Sequence, residues 1–517
     1  MSTKQQPTTS SSRPPVVVVM GHIDHGKSTL LDYIRTSNVV AKEIGGITQK
    51  MSAYEVVHKT KVEGKSVEKE ITFVDTPGHE SFNAIRARGA SAADIAILVV
   101  SAEDGVKPQT LDALKAIKNA ALPYIVGISK IDKPNANLER TKQTLAENEI
   151  YVEGYGGEIP VVPFSGITGA GVDDLLDMIL LVADVENFTA DTAIPAECIV
   201  VEANRDKVRG ISATLIIKNG TIKTGDVLVS GNAISPVRIL ENFLGKGIKT
   251  AKPSQPVRVV GWSDLPEVGG RCFTFSNKKD AEKFIESEQQ KAAAAKAAAK
   301  ASGTGTNNIG EASEGEISVV PILLKADTSG SVEALKYELA KIKIDRVVLK
   351  VIASGIGDIG ESDIKTAAGN QKTLIIGFNT KVDASTKQLA ERMEIGVHTF
   401  DIIYKMTEWL TEVAKDRAPK VQVEEQKGIA KILKIFSVNK NKQVLGGRVE
   451  SGTVSMHDEV KVMRRDTEIG RGHIRELQQM KEKVGTVEEG KEFGAMIESK
   501  IEIAPGDRVE AFHIVTK

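Results

Sequence analysis

The sequence predicts a multidomain chain of α/β plus β class. We expect a doubly wound α/β domain, a β-barrel, a three-layer α/β domain and a C-terminal β-barrel. Three observations carry this. The Gly-rich loop Gly21-His22-Ile23-Asp24-His25-Gly26-Lys27-Ser28 stands between an apolar run and a helical pattern. Strand and helix patterns then alternate to about residue 188 and give way to short β-branched runs with turns. The same succession recurs from residue 317 to the end.

The first domain is the most legible. Val16-Val17-Val18-Val19-Met20 reads as a buried strand, and Thr29 to Ile34 as the opening of a helix. Strand, glycine loop and helix N-terminus form a nest of N–H groups suited to phosphate oxygens. Lys27 would reach the β- and γ-phosphates, and the Ser28 hydroxyl would hold Mg²⁺. A second motif, Asp75-Thr76-Pro77-Gly78-His79, ends the strand Ile71–Asp75. Asp75 can order Mg²⁺ through water, and Gly78 leaves its N–H free for a γ-phosphate. A third, Ser129-Lys130-Ile131-Asp132, closes the strand Tyr124–Ser129. A buried Asp132 would accept from N1–H and N2–H₂ of guanine, donors that adenine lacks. The Lys130 stem would lie across the base. All three motifs fall at carboxyl ends of strands, where open α/β sheets bind ligands. Together they predict a guanine-nucleotide domain at 16–188.

The remainder divides by texture. Residues 1–15 are polar and Pro-containing and read as a disordered tail. Residues 189–280, with turns at Lys218-Asn219-Gly220 and Lys223–Asp226, read as a barrel. Residues 281–316 read as a helical, then flexible, linker, through the Ala/Lys run 291–301. In 317–400 we expect strands at Val319–Lys325, Val347–Ile352 and Thr373–Phe378. Helices are expected there at Val332–Ala340, Glu361–Ala368 and Lys387–Arg392. A connecting helix at 401–419 leads to the second barrel, 420–517.

Composition narrows the class. The 517 residues suggest about three to four domains. Lys plus Arg total 68 against 69 Asp plus Glu, so any basic surface must be local. Two cysteines, Cys198 and Cys272, make neither a disulfide framework nor a zinc site and point to a reducing, cytoplasmic setting. No apolar run approaches the ~20 residues of a membrane helix, so no membrane partner is expected.

The motifs and their order resemble one family, bacterial-type translation initiation factor two. The first two motifs look like those of translational GTPases generally. Gly45-Gly46-Ile47-Thr48-Gln49 and Arg86-Ala87-Arg88-Gly89-Ala90 narrow the resemblance, as do Asn219-Gly220-Thr221 and Lys325-Ala326-Asp327 with Gly330-Ser331. Ser354 to Asp363 and Ile375 to Asn379 are further matches. The family usually carries a long N-terminal region, so this looks like a core version.

The resemblance implies a ribosome-stimulated GTP hydrolase, monomeric off the ribosome. It would stabilise formylmethionyl initiator tRNA on the small ribosomal subunit, promote joining of the large subunit, hydrolyse GTP and leave. By the same resemblance Thr48 completes the Mg²⁺ shell, and Asp24 holds a monovalent cation. His79 orients the attacking water, and Ile23 and Ile47 form an apolar gate before it. The contacts to the guanine base would come from Ser129, Lys130, Asp132, Ser165, Gly166 and Ile167. Alternatives are another tRNA-delivering translational GTPase, or a non-hydrolysing guanine-nucleotide-dependent binding module. Arg86 and Arg88 could serve the ribosome or simply face solvent.

The chain also departs from the family pattern. Ser129 replaces the usual Asn, and Ser165-Gly166-Ile167 the usual Ser-Ala-Lys. Gln478-Gln479-Met480 stands where a Lys-Arg-aromatic cluster grips the formylmethionyl-adenosine end of the tRNA. Its acidic partner is retained as Glu492, and two family cysteines are Gly447 and Phe493. Arg464, Arg465, Arg471 and Arg475 are the nearest substitutes in sequence.

Overall fold

The computed structural model describes residues 10–35, 51–62, 65–78, 80–206, 208–301, 318–369, 373–418 and 422–516. Two compact units emerge, Met1–Arg417 and Ala418–Lys517.

In the first unit a short strand β1 (Ser10–Ser12) precedes β2 (Val16–Gly21), which leads into helix α1 (Lys27–Arg35). Then come β3 (Ser52–Val62), β4 (Lys65–Asp75), α2 (Asn83–Ala92), β5 (Ile95–Ser101) and α3 (Pro108–Asn119). The domain continues with β6 (Tyr124–Ser129), α4 (Leu138–Glu147), β7 (Val161–Pro163) and α5 (Val172–Glu186). Its sheet runs β3-β4-β2-β5-β6-β7, parallel except for the β3–β4 hairpin. Every residue of β2 and β5 is buried, as expected of parallel strands covered on both faces. Leu30 and Leu31 of α1 and Leu175, Leu176 and Ile179 of α5 pack on Val17, Val19, Ile97 and Val99. This packing fixes the carboxyl end of β2, and hence the glycine loop.

The disordered tail expected through Pro15 does not hold for Ser10–Pro15. Residues 1–9 lie outside the described residues. Ser10–Ser12 pairs antiparallel with β8 (Thr189–Asp191), and the Arg13 guanidinium bonds the Asp94 carboxylate. Polarity suggested disorder because the partners lie far away in sequence.

The second domain holds β9 (Glu197–Asp206), β10 (Gly210–Asn219), β11 (Ile222–Lys223), β12 (Val227–Ser230) and β13 (Ala233–Pro236). It ends with β14 (Ile239–Asn242), β15 (Thr250–Ala251), β16 (Pro256–Val260) and β17 (Arg271–Phe275). Seven of these form an antiparallel sheet, β13-β12-β17-β9-β10-β16-β14, curled around Val200, Leu215, Ile217, Leu228 and Trp262. Cys198 and Cys272 are free, buried and directly opposite one another. The linker helix α6 (Lys278–Ala301) begins on the barrel, where Ala281 and Ile285 pack on Val227 and Val229. Residues 302–317 lie outside the described residues.

The third domain runs β18 (Ser318–Ala326), α7 (Ser329–Lys341), β19 (Val347–Ile356), α8 (Glu361–Ala368), β20 (Leu374–Phe378) and α9 (Ala384–Arg392). A strand missed in the sequence, β21 (Gly396–Phe400), completes the parallel order β19-β18-β20-β21. Helices α8 and α9 cover one face through Ile364 and Ala390, packed with Leu323 and Ile375. Helix α7 packs on β18 and β19, and α10 (Ile403–Asp416) packs on α7.

The second unit is a closed barrel. β22 (Gln422–Asn439), β23 (Lys442–Ser455), β24 (Glu459–Arg464) and β25 (Thr467–Gln479) are followed by the short β26 (Glu482–Lys483) and β27 (Thr486–Glu488). β28 (Glu492–Ser499) and β29 (Arg508–Thr516) complete it. The order β22-β29-β24-β25-β28-β23 returns to β22, so the six main strands leave no open edge. Ile432, Leu445, Val460, Val462, Ile474 and Ile497 fill it. No helix among the described residues is long and apolar enough to cross a membrane.

Candidate nucleotide site and the C-terminal cavity

The glycine loop leaves β2 at Gly21. Asp24 (φ 60°) and Gly26 (φ 86°) turn it through the left-handed region, a conformation that lets successive N–H groups converge. Helix α1 then begins, with the Leu30 N–H donating to Gly26 O at 2.9 Å. The loop is held from two sides. The Ile23 N–H donates to Gln109 Oε1 of α3 at 3.0 Å. The Ser129 hydroxyl donates to His25 O at 2.5 Å. Ser129 thus ties the loop down despite being shorter than the family's Asn. Gln109 has no motif around it and was not foreseen.

Lys27 is buried, and its ammonium donates to His22 O at 2.5 Å. Burial, only partly offset by the Asp75 charge, pulls its pKa down to about 8. Asp75 itself is buried at the end of β4. A Cβ on Gly78 would stand 2.6 Å from Lys27 Nζ, so any side chain there would push the ammonium from its place. His25 is buried, and its Nδ1 accepts from the Ser101 N–H at 3.3 Å. Burial, with the charges on His22 and Lys27, lowers its pKa to about 3. His22 is lowered too, by burial and then Lys27. Ile47, Thr48 and His79 lie outside the described residues.

Arg86 does not face solvent, as one reading of the sequence had it. It is fully buried, and Nη1 donates to Gly78 O at 2.9 Å and to Pro77 O at 3.3 Å. Arg88 pairs with Glu333 of α7, and the Ser81 hydroxyl donates to Glu338 of α7 at 2.6 Å. The Asp327–Ser331 stretch shapes this contact. Thr328 caps α7 by accepting from the Ser331 N–H, and Gly330 leaves room for Ile85 of α2.

At the base edge, Asp132 is exposed rather than buried as expected. It accepts a hydrogen bond from Ser165, which holds its carboxyl below the usual range. The buried Ser165 oxygen also accepts from the N–H groups of Ile167 (3.3 Å) and Thr168 (3.1 Å). The Ser165 hydroxyl thus stands between Asp132 and the turn of its own loop. Lys130, at φ 62°, stands 3.6 Å from Glu103 and 3.7 Å from Asp104. A Cβ on Gly166 would meet the Leu30 nitrogen at 2.9 Å, which explains glycine where the family has alanine. Thr29 and Ile167 are exposed beside this edge.

Residues 13–184 match the family described as elongation factor Tu GTP binding domain, and 195–275 match elongation factor G domain 2. Residues 294–411 match translation-initiation factor 2. The translation initiation factor IF-2 of Halothermothrix orenii is 39% identical over 98% of this chain and 73% of its own length. The chain belongs to the IF-2 family. The IF-2 proteins of Anoxybacillus flavithermus and Carboxydothermus hydrogenoformans are each 40% identical, over 97% and 99% of this chain. The chain spans 68% and 61% of their respective lengths. A solved structure titled GDP-bound aIF5B from Aeropyrum pernix is 24% identical over 97% of this chain and 92% of that chain, at a TM-score of 0.45.

Within this IF-2 chain, Glu492 lines a cavity of about 650 Å³ on the C-terminal barrel. None of the four arginines proposed for tRNA contact lines it. Arg464 pairs with Asp507, Arg471 with Glu424 and Glu468, and Arg475 with Glu498. Arg465 sits in the exposed turn after β24. The lining cations are Lys434 and Lys481 instead, beside the exposed Phe436 and Met480. Gln478 also lines the cavity. Gly447 and Phe493 stand directly opposite one another on β23 and β28. A Cβ on Gly447 would stand 2.9 Å from the Phe493 ring.

Proposed function

We propose that this chain acts as a translation initiation factor whose GTPase is stimulated by the ribosome. The observation that carries the nucleotide half is the buried Lys27, wedged between the loop carbonyl of His22 and Gly78. A buried ammonium pressed against a glycine at a strand's carboxyl end suits a polyphosphate. Asp132, exposed beside Ser165, would supply the guanine contact.

Gly21 to Ser28 would wrap the phosphates, with Lys27 neutralising the β,γ oxygens. Ser28 and Asp75 are hard oxygen donors flanking that position, and such a set fits Mg²⁺. Ser28, Thr48 and, through water, Asp75 would hold it, and the ion would supply charge neutralisation at the phosphates. Asp24 is exposed in the loop and would carry a monovalent cation by resemblance. Gly78 would donate its N–H to the γ-phosphate, while Arg86 fixes the neighbouring carbonyls. By resemblance, His79 would orient the attacking water, gated by Ile23 and Ile47.

In the second unit, the cavity lined by Glu492, Lys434, Lys481 and Phe436 would receive the acceptor end of formylmethionyl initiator tRNA. The factor would work in the cytoplasm, as a monomer off the ribosome, on small and then joined subunits. The test is GTP turnover with and without ribosomes. Turnover that rises with ribosomes supports the reading. Nucleotide binding with no turnover in either case would make the chain a guanine-nucleotide-dependent binding module.

A further inference from the structure

We infer that the segment Ser10–Pro15 is a clamp that locks the second domain onto the carboxyl end of helix α2, making Arg13 a positioning residue for the nucleotide site. The inference rests on the nucleotide reading above.

Three elements meet at one carboxylate. Asp94 is buried and follows α2 directly. Arg13 reaches it with two bonds, Nη1 to Oδ2 at 2.5 Å and Nη2 to Oδ1 at 2.8 Å. Lys218 of β10 reaches Oδ1 at 2.5 Å. The same ammonium donates to Ala92 O (3.3 Å) and Ala93 O (3.4 Å), the last carbonyls of α2. A cation there also suits the negative end of the helix dipole. Asp94 Oδ2 further accepts the Val16 N–H at 2.9 Å, fixing the strand that leads into the phosphate loop.

The rest of the segment is stitched to both domains. β1 pairs with β8, and the Arg13 N–H donates to Phe188 O at 3.0 Å. Ser254, in the second domain, donates its hydroxyl to Pro14 O at 2.6 Å. The Thr72 hydroxyl of β4 donates to Ser254 O at 2.8 Å, and the Thr72 N–H to Pro15 O at 3.0 Å. The segment therefore bridges β4, Asp94 and the barrel at once.

The consequence reaches the phosphates through a rigid rod. Helix α2 is ten residues, about 15 Å long. Its first turns carry Arg86, which grips Pro77 O and Gly78 O. Gly78 abuts Lys27. Held at both ends, α2 sets where Gly78 stands. Releasing Arg13 loosens that end by removing two of its bonds, while Lys218 still holds Asp94 and the last carbonyls of α2, so no buried charge is orphaned.

The experiment compares the full chain with Arg13→Ala and Arg13→Lys. Hydrogen exchange is followed over 78–94 and 250–260, with GDP and GTP affinity by calorimetry. Arg13→Ala should speed exchange in both regions and weaken nucleotide several-fold. Arg13→Lys, which keeps the charge but not the bidentate fork, should recover part of both. Unchanged exchange would overturn the clamp. Faster exchange with unchanged affinity would overturn the positioning role. A wild-type chain that binds no guanine nucleotide would instead remove the nucleotide reading, and the exchange measurement would still judge the clamp.

Discussion

The Ser129 hydroxyl donates to the His25 carbonyl at 2.5 Å, so the first residue of the guanine motif anchors the phosphate loop. Val100 O lies 3.3 Å from the same hydroxyl and can take its single proton only in place of His25 O or by sharing it. Ser129→Ala should weaken GTP and GDP by about 2- to 10-fold, the worth of one neutral hydrogen bond. Ser129→Asn should tighten both, with the gain coming from the purine alone because the loop tie already exists. Calorimetry that finds Ala equal to Ser would show that the loop does not lean on this bond.

Asp132→Asn should shift preference from guanine toward xanthine nucleotides, whose 2-oxo group accepts where guanine donates. Competition binding reads this directly. ATP binding as tight as GTP in the unmodified chain would remove Asp132 from the base contact.

Gly166→Ala forces a Cβ against the backbone of Leu30 at 2.9 Å. Backbone cannot swing aside, so α1 or the Ser165 loop must shift, at a cost of about 1–3 kcal/mol. Thermal unfolding with and without GDP should show both a lower midpoint and a smaller GDP-induced rise. An unchanged midpoint would mean that the loop relaxes freely.

His25 gives a pH signature. Its folded pKa is about 3, against about 6.5 in an unfolded chain. Between those values the unfolded state binds more protons. The contribution is therefore fully present above pH 6.5 and lost as pH falls toward 3, by up to about 1.4 kcal/mol per unit. His25→Gln, which retains an acceptor for the Ser101 N–H, should flatten the acid limb of denaturant midpoints. Superimposable pH profiles would assign the acid sensitivity elsewhere.

The motifs were legible because each joins its chemistry to its own strand end. β6 and α8 have the limits that apolar runs and turn residues announced, and β2 runs one residue further, to Gly21. What escaped depends on distant partners. Arg86 reads as a surface residue until Pro77 and Gly78 are folded back over it. Arg13 reads as tail until Asp94 arrives from 81 residues away. Asp132 was expected to be buried because a buried carboxylate selects guanine through N1–H and N2–H₂, yet it stands exposed beside Ser165. The barrel arginines looked available by proximity, but strand pairing delivers each of Arg464, Arg471 and Arg475 to a carboxylate first.

The most direct test of the initiation reading is retention of formylmethionyl initiator tRNA on small ribosomal subunits, measured by filter binding against salt with GTP or GDP. The account predicts GTP-dependent retention of the initiator over elongator aminoacyl-tRNA. The salt slope of the isolated barrel, residues 420–517, should also be shallow, because Gln478-Gln479-Met480 is uncharged and only Lys434 and Lys481 line the cavity as cations. Equal retention of initiator and elongator tRNA, or none of either at low salt, would contradict it.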